Sequence, residues 1–368
     1  MSLAQAITAR RTAFRLTETE VAELAGLTVN AVRSVERSAR TPTAFELARI
    51  ADALAVDPAA LWRGEVSADD PTRGTARFLA GPSLAGLTAR DHRLLARAAE
   101  VGRIGAALWK LLRKPDTPLM VRRTVTPLSR QQEPWEQGYA LGQADRLAIA
   151  GTGQPLPSVQ GLLERQGVHV AFVDFEVDDA VAASLSEPDA LPVILLNRRH
   201  SRVQYDLSRR SVLAHELCHL LHDASEQNVV SMVSRRTQEL EPWEQRANGF
   251  GPSFLAPGAW IQVDGGTARQ VVGQLATAWA LSWEGACWHA KNLKLLPARE
   301  TDRLLGEGPR GWRSSELQES IIRTPPEMLG LETDASPLVT GLLSELVVQA
   351  VVDGEVSRGR AEEILVLR

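Results

Sequence analysis

The sequence predicts a multidomain chain: an all-α N-terminal unit, an α+β core and an α-helical C-terminal region. Three observations carry this expectation. At 368 residues the chain exceeds one ordinary core, so two or three domains are expected. Helix start and stop signals crowd its first 64 residues. Further on, two β-rich runs at 168–173 and 192–197 precede a long amphipathic helix at 209–223, a mixture that suits an α+β layout. The expected boundaries are 1–66 for the N-terminal unit, 67–132 for a linker and helical connector, 133–260 for the core and 261–368 for the C-terminal region.

Composition narrows the class. With 44% hydrophobic and 23% charged residues the chain reads as globular. No stretch approaches 18 consecutive apolar residues, so no membrane-spanning helix is expected, and the start lacks the basic-then-apolar order of a secretory signal. Two cysteines, Cys218 and Cys287, exclude a disulfide framework and suit a reducing cytoplasm. A net charge of −4 gives no overall affinity for nucleic acid, so any DNA-binding surface must be local.

In the N-terminal unit, Thr17 and Glu20 form a capping box, with Val21, Leu24 and Ala25 behind it. Gly26 ends that helix, and Thr28 can cap the next, from Val29 to about Arg37. Thr43 and Glu46 form a second box, opening a helix with Leu47, Ile50, Ala51 and Leu54 inward. A helix, a tight turn containing glycine and a second helix make a helix-turn-helix, whose second helix enters the major groove. The segments LTETEVAELAGLT (16–28), VRSVERSARTPT (32–43) and LARIADALAVDPAAL (47–61), with Arg11 before them, resemble the XRE family of helix-turn-helix domains. Ser38 departs from the family's usual glycine. The resemblance implies binding to double-stranded operator DNA, with Thr28, Asn30, Ala31, Arg33 and Ser34 on or near the reading surface and Arg37 and Arg40 near phosphates. Eight Arg and no Lys oppose seven acids over 1–64, a net charge of +1. Phosphate neutralisation dominates non-specific affinity, so a monomer should bind weakly, and a homodimer pairing two half-sites is expected.

Residues 64–79 are small, polar and bear Gly and Pro, as a linker does. Helical periodicity returns over 87–114 (Leu94, Leu95, Ala98, Val101, Ile104, Leu108, Leu111, Leu112). Arg103, Lys110, Arg113, Lys114, Arg122 and Arg123 make this neighbourhood basic, which could extend a DNA footprint but reads first as a solvated face. Helices are also expected at 133–150, after Pro134, and at 157–166.

The helix at 209–223 contains His215-Glu216-Leu217-Cys218-His219, an HExxH motif. Leu213, Leu217, Leu220 and Ala224 make its apolar stripe, and His215, His219 and His222 fall on roughly the opposite side. Imidazoles at i and i+4 can share one metal ion, with Glu216 beside them as a general base for water. A catalytic zinc site keeps three protein ligands. His222 and Ser225 exclude the HExxHxxGxxH solution, leaving a downstream carboxylate: Glu226, Glu239, Glu241 or Glu244. Glu226 is too near the end of the first helix to fold back. Pro242 suits the first turn of a new helix, and small Ala247, one turn after Glu244, lets that helix approach the first. Glu244 is therefore chosen.

The stretches NRRHSRVQYDLSRRSVLAHELCHLLHD (197–223) and EPWEQRANGFGPSFLAP (241–257) resemble the ImmA/IrrE family of zinc-dependent metallopeptidases, and the likeness spans about 133–260. It implies a thermolysin-like core, with His215, His219 and Glu244 as ligands of zinc (manganese being the other candidate) and Glu216 as general base. Cys218 stands where the family has a small glycine and reads as a packing residue. Gly249 and Gly251 lie in a stretch often richer in Ala. His222 could orient substrate or hydrogen-bond a carboxylate, a satisfied surface histidine being the favoured reading, and Tyr205 or His200 could reach an oxyanion.

In the C-terminal region two helices are expected around Leu281-Ser282, with Trp279, Trp283 and Trp288 as core or interface aromatics. Another is expected from 337 to about 352. The pentapeptide EPWEQ occurs at 133–137 and 241–245, with flanks too different for an internal repeat. These readings lead to a cytoplasmic DNA-binding regulator whose peptidase cuts a specific regulatory protein, repressor or antitoxin-like. The alternative is a regulator or antitoxin whose peptidase fold serves as a sensor or scaffold without proteolysis.

Overall fold

The computed structural model describes residues 1–13, 16–54, 56, 58–64, 87–116, 126–151, 153–187, 189–223, 230–235, 241–309, 338–339 and 341–365. The expected linker beyond Gly64, Arg122, Arg123, Ala224, Ser225, Glu226 and Glu239 lie outside these.

The chain opens with α1 (Leu3–Ala13), α2 (Glu18–Ala25), α3 (Val29–Glu36), α4 (Ala44–Ala53) and α5 (Pro58–Arg63). Both expected capping boxes form, Thr17 with Glu20 and Thr43 with Glu46, each satisfying two backbone donors that a helix start leaves open. Gly26 ends α2 in the left-handed conformation at φ 58°, and Thr28 caps α3. Ser38 also has a positive φ, 54°. That is the reason a glycine suits this turn: a Cβ in the left-handed region costs on the order of 1 kcal/mol. Ile7, Val21, Val32, Val35, Ile50, Leu54 and Leu61 fill the core beneath these helices.

Next comes α6 (Ala89–Leu111), capped reciprocally by Thr88 and Asp91. Its basic residues are partly paired, Arg103 with Glu187 at 2.8 Å, and Arg93 and Arg97 both donate to Asp52 on α4. The central part contains α7 (Pro134–Ala150), α8 (Val159–Arg165), β1 (His169–Val173), β2 (Ala180–Ser186), β3 (Val193–Asn197), the short α9 (Ser201–Gln204), α10 (Asp206–His222), β4 (Val230–Arg235) and α11 (Pro242–Leu255). The strands form one sheet in the order β1-β3-β2-β4. β1 and β3 run parallel, and the other two pairings are antiparallel.

Alternation of side chains gives the sheet two apolar faces. Val170, Ala182, Ile194 and Leu196 pack with α10 and α11, whereas Ala171, Val173, Ala183, Leu185, Val193 and Leu195 pack with α6 and the last helices of the chain. The expected α+β layout thus has helices on both faces of its sheet. A sheet covered on both faces explains why 170–173 of β1 and 193–196 of β3 read as unbroken apolar runs.

The C-terminal helices are divided between the two cores. α12 (Ala268–Trp279), α13 (Trp283–Asn292) and α14 (Ala298–Glu307) belong to the α10 side, while α15 (Gly341–Val352) and α16 (Arg358–Leu365) join α6 and the N-terminal unit. Among the described residues, no helix is long and apolar enough to cross a membrane.

One helix contact fixes where α11 lies. α7 and α11 run side by side in parallel, so close that a Cβ on Gly138 would stand 1.9 Å from the Arg246 carbonyl oxygen and one on Gly249 2.1 Å from that of Trp135. Only glycine permits that approach. Arg146 of α7, fully buried, donates to the Phe254 carbonyl at 3.0 Å, satisfying a backbone acceptor at the end of α11.

Candidate functional site

α10 presents His215 and His219 one turn apart, and α11 carries Glu244 to them. His215 Nε2 lies 3.0 Å from Glu244 Oε2, and the two His Nε2 atoms are 3.2 Å apart. Glu244 Oε1 is 3.5 Å from His219 Nε2. Among the described residues these three form the one group of His, Cys, Asp or Glu side chains arranged to hold a metal ion. Tetrahedral zinc with ligand bonds of ~2.0–2.1 Å spaces its donors by about 3.3–3.4 Å, so the set fits such a cation. The other candidate acid, Glu241, is an exposed N-cap.

The electrostatics point the same way. Burial opposes charge on His219, but its bonds to Asp223 and Glu244 hold its pKa well above the ordinary histidine range. Glu244 is buried too, yet the two histidines keep its carboxyl far below the usual range. Glu244 and Asp223 thus favour a positive charge beside them. His219 Nδ1 donates to Asp223 Oδ2 at 2.7 Å, which turns the Nε2 lone pair towards the site. Arg246, two residues after Glu244, donates to the other Asp223 oxygen and, at 2.6 Å, to the Thr126 carbonyl.

Glu216 is wholly buried, and neither of its oxygens has a hydrogen-bond partner. Burial raises its pKa, while the neighbouring histidines lower it in part. An orphaned carboxylate beside three ligand atoms is the group expected to accept a proton at a metal site. A cleft of about 790 Å³ opens beside them. His215, Glu216 and Glu244 line it, with Trp135 from α7, Ser234 from β4, Asn248 from α11, and Trp288 and Lys291 from α13.

Several expectations change. His222 is buried, not at the surface, and is turned away from the ligand cluster: Nδ1 meets Thr126 Oγ1 at 2.9 Å and Nε2 meets Asp145 Oδ2 at 2.7 Å. Thr126, Asp145 of α7 and Phe250 of α11 cover it. Tyr205 joins α9 to α10 and is exposed, His200 caps α9, and neither lines the cleft. Cys218 sits in the hydrophobic core, where burial drives its thiol pKa up. Ser234, Asp145 and Lys291 were not singled out by the sequence, and Trp288, expected as a core or interface aromatic, lines the cleft. Asp223, four residues after His219, had a detectable signal: helical spacing places it over the same imidazole.

On the N-terminal unit, Thr28, Asn30, Arg37 and Arg40 are exposed, and Ala31, Arg33 and Ser34 are half-buried. Arg33 pairs with Glu18 at 2.7 Å and Arg40 with Glu46 at 2.7 Å, and Ser34 Oγ donates to the Asn30 carbonyl at 2.6 Å. All seven residues belong to α3 or to the segments next to it, in one neighbourhood of the unit.

Comparison with known proteins finds two family models. Residues 7–61 match the family model described as a helix-turn-helix, and 163–284 match that of the IrrE N-terminal-like domain. No curated protein and no solved structure matches the chain. The second match includes both histidines, Glu216, Glu244 and the first residues of α13, and leaves out α7. The chain therefore joins a helix-turn-helix domain to an IrrE N-terminal-like domain, a peptidase-family unit.

Proposed function

We propose that this chain is a cytoplasmic DNA-binding regulator whose metallopeptidase site cleaves a specific regulatory protein, repressor or antitoxin-like. The observation that carries the reading is the buried, unpartnered Glu216 beside the His215–His219–Glu244 cluster, at the floor of an open cleft. A divalent cation held by those three residues, zinc or manganese, would supply Lewis acidity to a water molecule and to a peptide carbonyl.

The remaining roles belong to the chain. Glu216 takes the proton from the attacking water and returns it to the departing amine; a raised pKa suits a carboxylate that must do both. Asp223 and Arg246 keep His219 oriented. The α10 and α11 arrangement supports a thermolysin-like reading of this core. The cleft, walled by Trp135 and Trp288, accommodates an extended peptide segment.

Thr28, Asn30, Ala31, Arg33 and Ser34 face base edges in this reading, and Arg37 and Arg40 approach phosphates. Glu18 and Glu46 already engage two of the three cations, which lowers the affinity of one copy. A homodimer on a two-fold operator compensates by pairing half-sites.

The test is paired. Bound metal is measured on the purified protein, and wild type and Glu216→Gln are then compared for loss of a co-expressed protein encoded next to this one. Loss with wild type alone supports the peptidase. If every such neighbour survives both while operator binding persists, the chain is a regulator whose peptidase fold serves as sensor or scaffold.

A further inference from the structure

The sheet edge brings to the metal centre one polar side chain that the two helices do not supply. Ser234 on β4 is buried, and its Oγ lies 3.2 Å from His215 Nε2. The same nitrogen is 3.0 Å from Glu244 Oε2 and 3.2 Å from His219 Nε2. Ser234 thus stands to His215 as the other two donor atoms do, close to the spacing of about 3.3–3.4 Å that donors take around a tetrahedral cation. Ser234 and Glu216 line the same cleft, and both Glu216 oxygens are buried without a partner.

We propose that Ser234 is a fourth protein group of the metal centre, its hydroxyl standing at the vertex that His215, His219 and Glu244 leave open. The inference rests on the reading of those three as ligands. A thiolate or carboxylate at this vertex would close the site. A neutral hydroxyl binds weakly and can give the place up, so the site remains able to admit water. Turned the other way, its O–H can donate to Glu216, and the hydroxyl already helps to lower that carboxyl's pKa. Ser234 is therefore a displaceable member of the metal shell, and it comes from the strand rather than from the helix pair that bears the other three.

Cobalt(II) alone is the probe, used with the full chain. Ser234→Cys puts sulfur where the hydroxyl is. If that atom faces the cation, the cobalt-loaded variant gains an intense near-ultraviolet sulfur-to-cobalt absorption. Wild type lacks it, because Cys218 and Cys287 are buried in the core away from the ligand atoms. Ser234→Ala, which only removes the oxygen, should weaken cobalt binding about tenfold in chelator competition, and Ser234→Thr should restore most of it. A cobalt-loaded Ser234→Cys protein with the wild-type spectrum, or unchanged affinity in Ser234→Ala, overturns the proposal and leaves the three-ligand reading intact. If wild type itself binds no cobalt, the three-ligand reading fails and this inference fails with it.

Discussion

The chain uses Glu-Pro-Trp-Glu-Gln twice, at 133–137 and 241–245, and starts a helix with it both times. Both helices take Glu as N-cap and carry Pro in the first turn, where a missing N–H costs nothing. There the likeness ends. Glu136 is exposed and reaches back to the Glu133 backbone N–H at 3.4 Å, whereas Glu244 is 2% exposed and meets His215 at 3.0 Å. Glu136 caps its helix; Glu244 joins the His215–His219 cluster, which could hold a metal ion. One turn of sequence decides where a helix begins, and the element packed against that turn decides what its acid does. The next residue sharpens the contrast: Gly138 has no side chain and lets α11 approach, while Arg246 crosses to Asp223 and Thr126.

The largest effect should separate the two acids. Glu244→Gln is expected to cost more than about a hundredfold in zinc affinity, beyond the 10–100-fold typical of residues that only support a ligand. Glu136→Gln should leave that affinity unchanged in the same chelator competition. Next comes the crossing itself. Gly138→Val would drive a side chain into the Arg246 carbonyl and should destabilise the protein by about 3 kcal/mol in denaturant titration. Gly306→Ala on α14, where a Cβ meets nothing within 4 Å, should stabilise it by up to about 1 kcal/mol.

His289, which ties the pair together, gives a pH-dependent effect. Its Nε2 donates to the Ala256 carbonyl at the end of α11, and its Nδ1 meets the hydroxyl of Tyr139 on α7. Burial lowers its pKa to about 4, and burial does the same to His169 on β1. The unfolded chain, with histidines near 6.5, therefore binds more protons than the folded one between these values, so stability is full above about pH 6.5 and falls as pH drops towards 4. Each histidine should cost roughly 2 kcal/mol by pH 5. Replacing His289 with Gln should flatten that slope by about half; an unchanged slope would mean that the imidazole does not bridge the helices as a neutral group. The smallest effect lies farthest from the pair. Arg37→Ala should weaken DNA binding about equally across sequences and reduce the salt slope by about 1, with no change in bound metal.

The N-terminal unit was readable almost residue by residue, because Thr17, Gly26, Thr28 and Thr43 act within their own turns. The metal helix and its partner were readable for a related reason: His215 and His219 share a face by helical spacing, and Pro242 announces the start of α11. Other features depend on neighbours far along the chain. β2 is rich in Ala and Ser and is buried on both faces, so it carries neither alternation nor bulk as a signal. His222 looked exposed on the wheel because the wheel does not include α7. Ser234 sits in a short edge strand, and what gives it meaning is the imidazole 3.2 Å away. The Ser38 departure, visible in the sequence, acquired its reason only with the left-handed backbone beneath it.

One cation between α10 and α11 is the central claim. Crystals grown with zinc and measured at its absorption edge test it directly. The prediction is a single strong anomalous peak per chain, within about 2.0–2.2 Å of His215 Nε2, His219 Nε2 and a Glu244 carboxylate oxygen, and its loss in Glu244→Gln but not in Glu136→Gln. No peak among these three residues, or one that survives Glu244→Gln at full height, would contradict it.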